Sequence, residues 1–485
     1  MAVSADTFFL DPAFEGTLQK QIQSMVAEGI LSGRFRPGEK LPSSRGLAKH
    51  LGISRITVTL AYTELQADDY VVSRGRSGYF VSETAPQPRL VGADIRRKDT
   101  VDWQSVVGTR FSELRQVQKP EDWQSFRYPF IYGQADPTLF DHANWRLCAL
   151  QALGQRDFDA MTADYYDRDD PKLVEFIARH SLPRRGITAN SQEILVTLGA
   201  QNALWIASKV LLSKGRTAVT ESPCYPGMSS VLHETGCRIV PLAVDRHGLP
   251  PASIPADTDV VFTTPSHHCP TSVTMPLKRR QALLKRASED DFVVVEDDYE
   301  FEMSFLTPPS PALKSLDREG RVIHIGSFSK SLFPGLRLGY LVGPAAFIRE
   351  ARALRSLLLR HPPGHVQRTA AYFMSLGHYD ALIKRMARAF GQRRRVMAEA
   401  IRKAGLEIAG GGDGGSSFWI RAPEGVDTEV LTERLRAKSV LIEPGAVFFP
   451  ENDPPKRYFR LAYSSIPEDR IPDGIALIAK ELGLG

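Results

Sequence analysis

The chain has 485 residues, of which 42% are hydrophobic, 24% charged and 9% aromatic, the composition of an ordinary globular protein of about three domains. Its 61 Lys+Arg against 56 Asp+Glu leave a net charge of +5, too mild for a histone-like or polybasic protein, so local charge must carry any nucleic-acid contact. Apolar runs such as Phe292–Val295, Leu357–Leu359 and Val447–Phe449 fall far short of the ~20 residues of a membrane span. The opening residues lack the basic start, apolar stretch and cleavage site of a signal peptide. Cys148, Cys224, Cys237 and Cys269 stand at irregular spacing, neither a disulfide framework nor a zinc site. A cytoplasmic protein with reduced thiols, no metal and no membrane contact is expected. His267-His268-Cys269 looks like ligands in a row, but adjacent loop residues rarely point at one metal.

Residues 17–82 read as a compact unit, with a domain drawn over 1–82. Leu18, Ile22, Met25, Val26 and Ile30 recur at helical spacing, and Gly33 lies near the helix end. After the turn at Arg36-Pro37-Gly38, Ser43 can cap a second helix through Leu51; Gly52 breaks the chain, and Ser54 can cap a third helix, Arg55–Gln66. Tyr70 to Val81 alternates around a glycine-containing turn, as a hairpin does. Three helices and a hairpin make a winged helix-turn-helix. On the third helix Val58, Ala61 and Leu65 share a core face, while Arg55, Thr59, Thr63 and Gln66 share a free polar one, the division a DNA-recognition helix needs. Arg34, Arg36, Lys40, Arg45, Lys49 and Arg55 meet one acid, Glu39, in that stretch, and the wing adds Arg74 and Arg76. Residues 1–82 hold 9 basic and 8 acidic residues, so the basic surface must be one-sided.

Residues 83–125 read as a linker with a short helix near Val106–Val117 and a basic triplet, Arg96-Arg97-Lys98, that is expected to be a solvated charge run. From 126 to 485, Ile194–Leu198, Thr217–Thr220, Val260–Thr263, Phe292–Glu296, Val322–Ile325 and Tyr340–Val342 read as buried strands separated by helices. That alternation implies a mostly parallel α/β sheet. After about Gly391, Phe418–Arg421, Val440–Ile442 and Tyr458–Tyr463 suggest a smaller α+β lobe.

Gly326-Ser327-Phe328-Ser329-Lys330 follows a strand, which puts Lys330 on a loop at the carboxyl edge of the sheet, where ligands collect. A lysine among hydroxyls, with Arg337 seven residues on, suits a phosphorylated aldehyde. The amine forms a Schiff base; Ser327, Ser329 and Arg337 can bind the phosphate. The strand ending in Glu296-Asp297-Asp298-Tyr299 offers an acid for a pyridinium nitrogen, which makes the ring an electron sink, and a phenol for its 3-oxygen. Gly199, Ala200 and Gln201 lie between a strand and a helix, whose free N–H groups would take the same phosphate.

Residues 126–485 resemble a fold-type I, pyridoxal 5'-phosphate (PLP)-dependent aminotransferase, and residues 17–82 resemble the GntR-type DNA-binding domain through Leu41-Pro42-Ser43-Ser44-Arg45 and Ser54-Arg55-Ile56-Thr57-Val58. The fusion resembles the MocR subgroup of GntR regulators. The resemblance implies that Lys330 carries PLP, that Asp297 meets the pyridine nitrogen and Tyr299 the 3-oxygen, that Tyr225 stacks on the ring, and that Arg460 binds an effector carboxylate. It also implies that Arg45, Ser54, Arg55 and Thr57 contact DNA, with Gly75 and Gly78 in the wing. Two departures stand out. Thr264 to Ser272 lacks the asparagine that contacts the 3-oxygen, and Tyr165-Tyr166-Asp167-Arg168-Asp169-Asp170-Pro171 lacks the usual glycine, leaving either Tyr165 or Tyr166 to reach the partner subunit. The expected protein is a homodimeric regulator, domain-swapped or not, of a double-stranded DNA operator. It would sense a small amino compound, or PLP itself, by transimination at Lys330. The alternative is a working aminotransferase with an accessory DNA-binding domain.

Overall fold

The structure, a computed structural model, describes residues 2–86, 100–306, 310–411 and 414–484; the basic triplet Arg96-Arg97-Lys98 lies outside them. The chain divides into two compact units, Met1–Thr109 and Arg110–Gly485.

The first unit holds α1 (Leu18–Leu31), α2 (Ser44–Leu51), α3 (Arg55–Ala67) and an antiparallel hairpin of β1 (Val71–Ser73) and β2 (Tyr79–Val81). The helix starts arise as the capping residues dictate: Ser43 Oγ accepts from the Gly46 amide at 3.0 Å and Ser54 Oγ from the Ile56 amide at 3.2 Å. Gly52 closes α2 with φ 65°, a left-handed conformation that glycine adopts without a Cβ penalty. Ile22, Val26, Ile30, Leu47, Val58, Ala61 and Leu65 are buried together. Tyr62, which the spacing did not place inside, joins them because its hydroxyl reaches the Pro42 carbonyl at 3.0 Å. Leu18, the first residue of α1, is instead 45% exposed.

The second unit is built on a seven-stranded sheet. Its strands are β4 (Ile194–Thr197), β5 (Thr217–Ser222), β6 (Arg238–Ala243), β7 (Val260–Thr263), β8 (Val293–Asp297), β9 (Val322–Ser327) and β10 (Gly339–Val342). They run in the order β4-β10-β9-β8-β7-β5-β6. All neighbours pair in parallel except β10, which is antiparallel to both β4 and β9. The central strands are covered on both faces and therefore appear as unbroken apolar runs. β6 escaped the sequence reading because it is an edge strand with an alternating pattern and a proline, Pro241, a residue that sheets admit at their edges.

α4 (Ala200–Leu211) follows β4, α5 (Pro226–His233) follows β5, and the long α6 (His378–Lys403) leads into the smaller lobe. Gly391 lies inside α6, so the change of lobe begins earlier than the 391 boundary suggests. The small-lobe sheet is antiparallel, in the order β11 (Glu407–Ile408), β12 (Ser417–Arg421), β15 (Tyr458–Ala462) and β14 (Glu443–Pro444). Beside it, β13 (Val440–Leu441) pairs in parallel with β3 (Tyr128–Pro129).

The helix expected near Val106–Val117 is replaced by a helical turn over Trp103–Val106 and a 3-10 turn over Phe111–Glu113. The reason is tertiary. Arg115 donates to the Glu451 carbonyl at 3.1 Å, and Val117 packs against a cluster containing Trp419 and Phe448.

One buried ion pair fastens the helix Ala345–Leu359 to β4. Asp169 accepts from Arg355 at 2.5 Å, from Arg352 at 2.8 Å and from the Val196 amide at 3.2 Å, and the Asp169 and Arg355 side chains have no exposure. Removing one partner of such a pair leaves an uncompensated charge. Asp169→Ala is therefore expected to cost about 3–5 kcal/mol, read as a lower urea midpoint for the second unit.

Candidate functional site

In the first unit Arg34, Arg36, Lys40, Arg45, Lys49 and Arg55 are all exposed. Arg55 Nε reaches Ser44 Oγ at 3.4 Å, which steers the guanidinium at the start of α3. Ser54 is exposed and Thr57 half-buried, and Ile56, 70% exposed beside them, adds an apolar element that the sequence reading had not flagged. Thr59 and Thr63 donate their hydroxyls back to the carbonyls of Arg55 and Thr59, both at 2.9 Å, leaving their oxygens as acceptors. In the wing Gly75 and Gly78 take φ 53° and 101°, and the Arg74 guanidinium lies 4.8 Å from the centre of the Phe80 ring. Basic side chains around the exposed N-terminus of a helix, flanked by a hairpin, form the footprint that phosphates and base edges require.

In the second unit the ends of three strands of the one sheet, β4, β8 and β9, carry the site. Beyond β4, Gly199 adopts φ 81° and opens α4, whose first-turn amides, among them those of Ala200 and Gln201, have no intrahelical partner. A Cβ at Gly199 would stand 3.4 Å from Arg337 Nη2 and 3.5 Å from Ser329 Oγ, so a cation and a hydroxyl face the same backbone. Arg337, itself at φ 52°, is held there by a bond to the Leu198 carbonyl at 3.1 Å. Ser327 behaves differently. It is buried, and its Oγ accepts from the Ser329 amide at 3.2 Å, which shapes the loop.

Asp297 ends β8, is 7% exposed, and its Oδ1 has no hydrogen-bond partner. Its neighbours are all committed. Asp298 binds Arg185 at 2.6 Å, Glu296 binds His324 at 2.9 Å, and Glu221 accepts from Thr263 and Thr264 at 2.6 and 2.7 Å. Burial, followed by repulsion from Asp298, Glu221 and Glu296, pushes the Asp297 carboxyl up to about 8. Tyr299 follows, but its hydroxyl donates to the His267 carbonyl at 3.0 Å, so only its oxygen lone pairs are open to a further donor. Tyr225, whose ring is 40% exposed, precedes α5 and lies within electrostatic reach of Asp297, Arg337 and Arg460.

Lys330 leaves the loop after β9 with its Nζ 4.2 Å from the centre of the Tyr132 ring. Burial lowers its pKa to about 8, so a substantial neutral fraction exists near pH 8. Arg460, on β15, is 5% exposed, which rules out a surface arginine. Its Nε donates to Glu443 at 2.7 Å, its Nη1 reaches Cys269 Sγ at 3.8 Å, and its guanidinium lies 4.1 Å from the centre of the same Tyr132 ring. Tyr132, Gly133, Cys269, Glu300 and Glu443 were not assigned to this site from sequence. Gly133 has the clearest signal once the fold is known, because a Cβ there would lie 2.0 Å from Lys330 Nζ.

Tyr165 and Tyr166 are not part of the Lys330 cluster of their own chain. They line a separate cavity of about 950 Å³ with Arg168, Arg349 and His361, and the Tyr166 hydroxyl contacts Arg360. His267 pairs with Ser304 and His268 with Thr271, at 3.0 and 2.7 Å. Among the described residues no group of three or more His, Cys, Asp or Glu is arranged to hold a metal, and no helix is long and apolar enough to cross a membrane.

Residues 18–81 match the bacterial regulatory proteins of the gntR family, and residues 141–476 match aminotransferase class I and II. The chain is 58% identical to the HTH-type transcriptional regulator TauR of Rhodobacter capsulatus, covering 99% of this chain and 100% of that protein. It belongs to the MocR subgroup of the GntR regulators. The probable rhizopine catabolism regulatory protein MocR of Rhizobium meliloti is 28% identical over 96% of this chain and 94% of its own length. Among solved structures, the kynurenine aminotransferase of Pyrococcus horikoshii superimposes with a TM-score of 0.71 at 27% identity, covering 81% of this chain and 98% of that one. Relatives that share both units and are named regulators favour a DNA-binding transcriptional regulator over an aminotransferase.

Arg55→Ala in this regulator is expected to weaken operator binding by about 1–3 kcal/mol if the guanidinium reads a base edge, measured as a Kd at fixed salt. Asp297 makes a pH prediction. A carboxyl whose folded pKa lies above its unfolded value holds an extra proton between about 4 and 8, so its contribution to stability falls as pH rises through that window. Asp297→Asn should flatten the pH dependence of the thermal midpoint of the cofactor-free protein from pH 5 to pH 8.

Proposed function

We propose that this regulator binds PLP on Lys330 and is switched by a small amino compound, or by PLP itself, through exchange at that lysine. The observation that carries the reading is the convergence of an amine, an unpartnered carboxyl and a phosphate cradle on strand ends along one edge of one sheet. The residues present fit the group. Asp297 Oδ1 lacks a partner and would meet a protonated ring nitrogen. Gly199 leaves open the space that a Cβ would fill, between Arg337 and Ser329, where a phosphate dianion would be held by a guanidinium, a hydroxyl and the α4 amides. PLP, when bound, supplies a carbonyl carbon that exchanges amines and a ring that withdraws electrons. Tyr225 would cover the ring face, and the Tyr299 oxygen would accept beside it.

Arg460 would bind an anionic group of the effector through the guanidinium edge that Glu443 leaves open. When an incoming amine displaces Lys330, Nζ becomes free to take up a proton above the Tyr132 ring. That ring also carries Arg460, and the Tyr132 amide donates to Glu443 at 3.2 Å. A new charge at Nζ therefore acts on a group that the large lobe and the small-lobe strands β14 and β15 share. It shifts the lobes only if the effector binds their two arrangements with different affinity. A homodimer, domain-swapped or not, would present two DNA-binding units to paired half-sites or direct repeats, and Tyr165 or Tyr166 would approach the partner subunit's cofactor.

Lys330→Ala is expected to abolish cofactor absorbance above the protein band and the effector response of DNA binding, while operator affinity in the absence of effector stays close to that of the unsubstituted chain. Loss of operator binding would instead assign the cofactor a structural role. Steady turnover of an amino acid against a keto acid by the purified protein would favour the aminotransferase.

A further inference from the structure

Glu300 has no task in the reading above. It follows Tyr299, is 4% exposed, and shares with Lys330, Gly133 and Ser416 the lining of a cavity of about 20 Å³, room for one water-sized group. Ser416 Oγ donates to Glu300 Oε1 at 2.5 Å. The ionisable groups facing it are Lys330, Arg460, Tyr132, Tyr299, Cys269 and Tyr463. The three phenols and the thiol are pushed up by burial and stay neutral near pH 7. Glu443, the other carboxyl beside Arg460, is committed to Arg460 and to the Tyr132 amide. Burial raises the Glu300 carboxyl while Ser416 and Lys330 pull it back.

An aliphatic amine reaches the site at neutral pH as an ammonium ion, which has no lone pair to attack with. It must lose a proton there, and Lys330 must gain one as it leaves. We infer that Glu300 carries this proton, taking it from the incoming ammonium group and returning it to Lys330 Nζ when that nitrogen is released. The balance closes: one ammonium enters, one forms on Lys330, the carboxylate is regenerated, and no electron donor or acceptor is needed. The effector class this serves is the aliphatic primary amines, which arrive protonated. The inference rests on the exchange reading proposed for Lys330.

The test uses the full-length protein loaded with PLP and follows, by stopped-flow absorbance, the exchange of Lys330 for two probes. Methylamine is an ammonium ion at pH 7; methoxyamine is already neutral. Glu300→Gln is expected to slow methylamine exchange about 10²-fold, within the usual range for a positioned general base, and to leave methoxyamine exchange nearly unchanged. Equal slowing with both probes, or slowing with neither, overturns the inference. A second readout needs no cofactor. Glu300 raises the pKa of Lys330, so in cofactor-free Glu300→Gln the pH midpoint for acetylation of Lys330 should fall below that of the unsubstituted chain; an unchanged midpoint overturns the placement. Should Glu300→Gln not fold, Ser416→Ala serves. It removes a donor that favours the ionised carboxyl, so the pH midpoint of methylamine exchange should move upward, and no movement counts against Glu300. If the unsubstituted protein shows no borohydride-trapped PLP on Lys330, the exchange reading has failed and takes this one with it, a result distinct from any probe-dependent change.

Discussion

Asp297 is a carboxyl buried at the end of a central strand with one oxygen unpaired, and an interior tolerates such a group only when a partner compensates it. The arginines beside the neighbouring carboxylates are already taken: Arg185 by Asp298 and Arg280 by Glu296. The free protein can meet that constraint by protonating Asp297. A bound group that brings its own positive charge meets it without that proton. The position of the carboxyl in the sheet, between β7 and β9, explains why the other recognition elements, Lys330 and Gly199, lie on strand ends of the same edge.

The second organising feature is a shared aromatic ring. Lys330 Nζ and the Arg460 guanidinium lie 4.2 and 4.1 Å from the centre of the Tyr132 ring, and the Tyr132 backbone is tied to Glu443. Glu443 and Arg460 are direct neighbours across β14 and β15, so a continuous set of contacts joins the lysine to the small-lobe sheet. Val117 packs into the cluster that contains Trp419 and Phe448, and Phe448 lies against Arg460. The segment entering the second unit thus packs on the cluster that backs Arg460.

The two units divide the work by chemistry. The first presents exposed cations on a short helical scaffold with a wing, suited to a polyanion; the second encloses a small cluster of buried titratable groups. The glycines mark the places where backbone had to come close to something else. Gly199 faces Arg337 and Ser329, Gly133 faces Lys330, and in the wing Gly75 and Gly78 supply left-handed turns.

Much of this was legible in order along the chain. Caps at Ser43 and Ser54, the apolar runs of β4, β7, β8 and β9, and the Ser327–Arg337 loop are local signals, because each depends on residues a few positions apart. β6 was hidden by its edge position, and Glu300 by the acid-rich run it ends. Glu443, Tyr132 and Cys269 had no signal of their own, since their roles arise from a cross-strand register, a segment some 200 residues from Lys330, and a loop folded back on Arg460. The sequence by itself determined most of the elements and marked the candidate chemical residues, because propensity, capping and apolar pattern are set by near neighbours. Only the tertiary structure decided which of those residues face one another, which carboxyl is left unpaired and which arginine is already occupied. Those outcomes depend on burial and charge pairing between segments that the chain order keeps far apart.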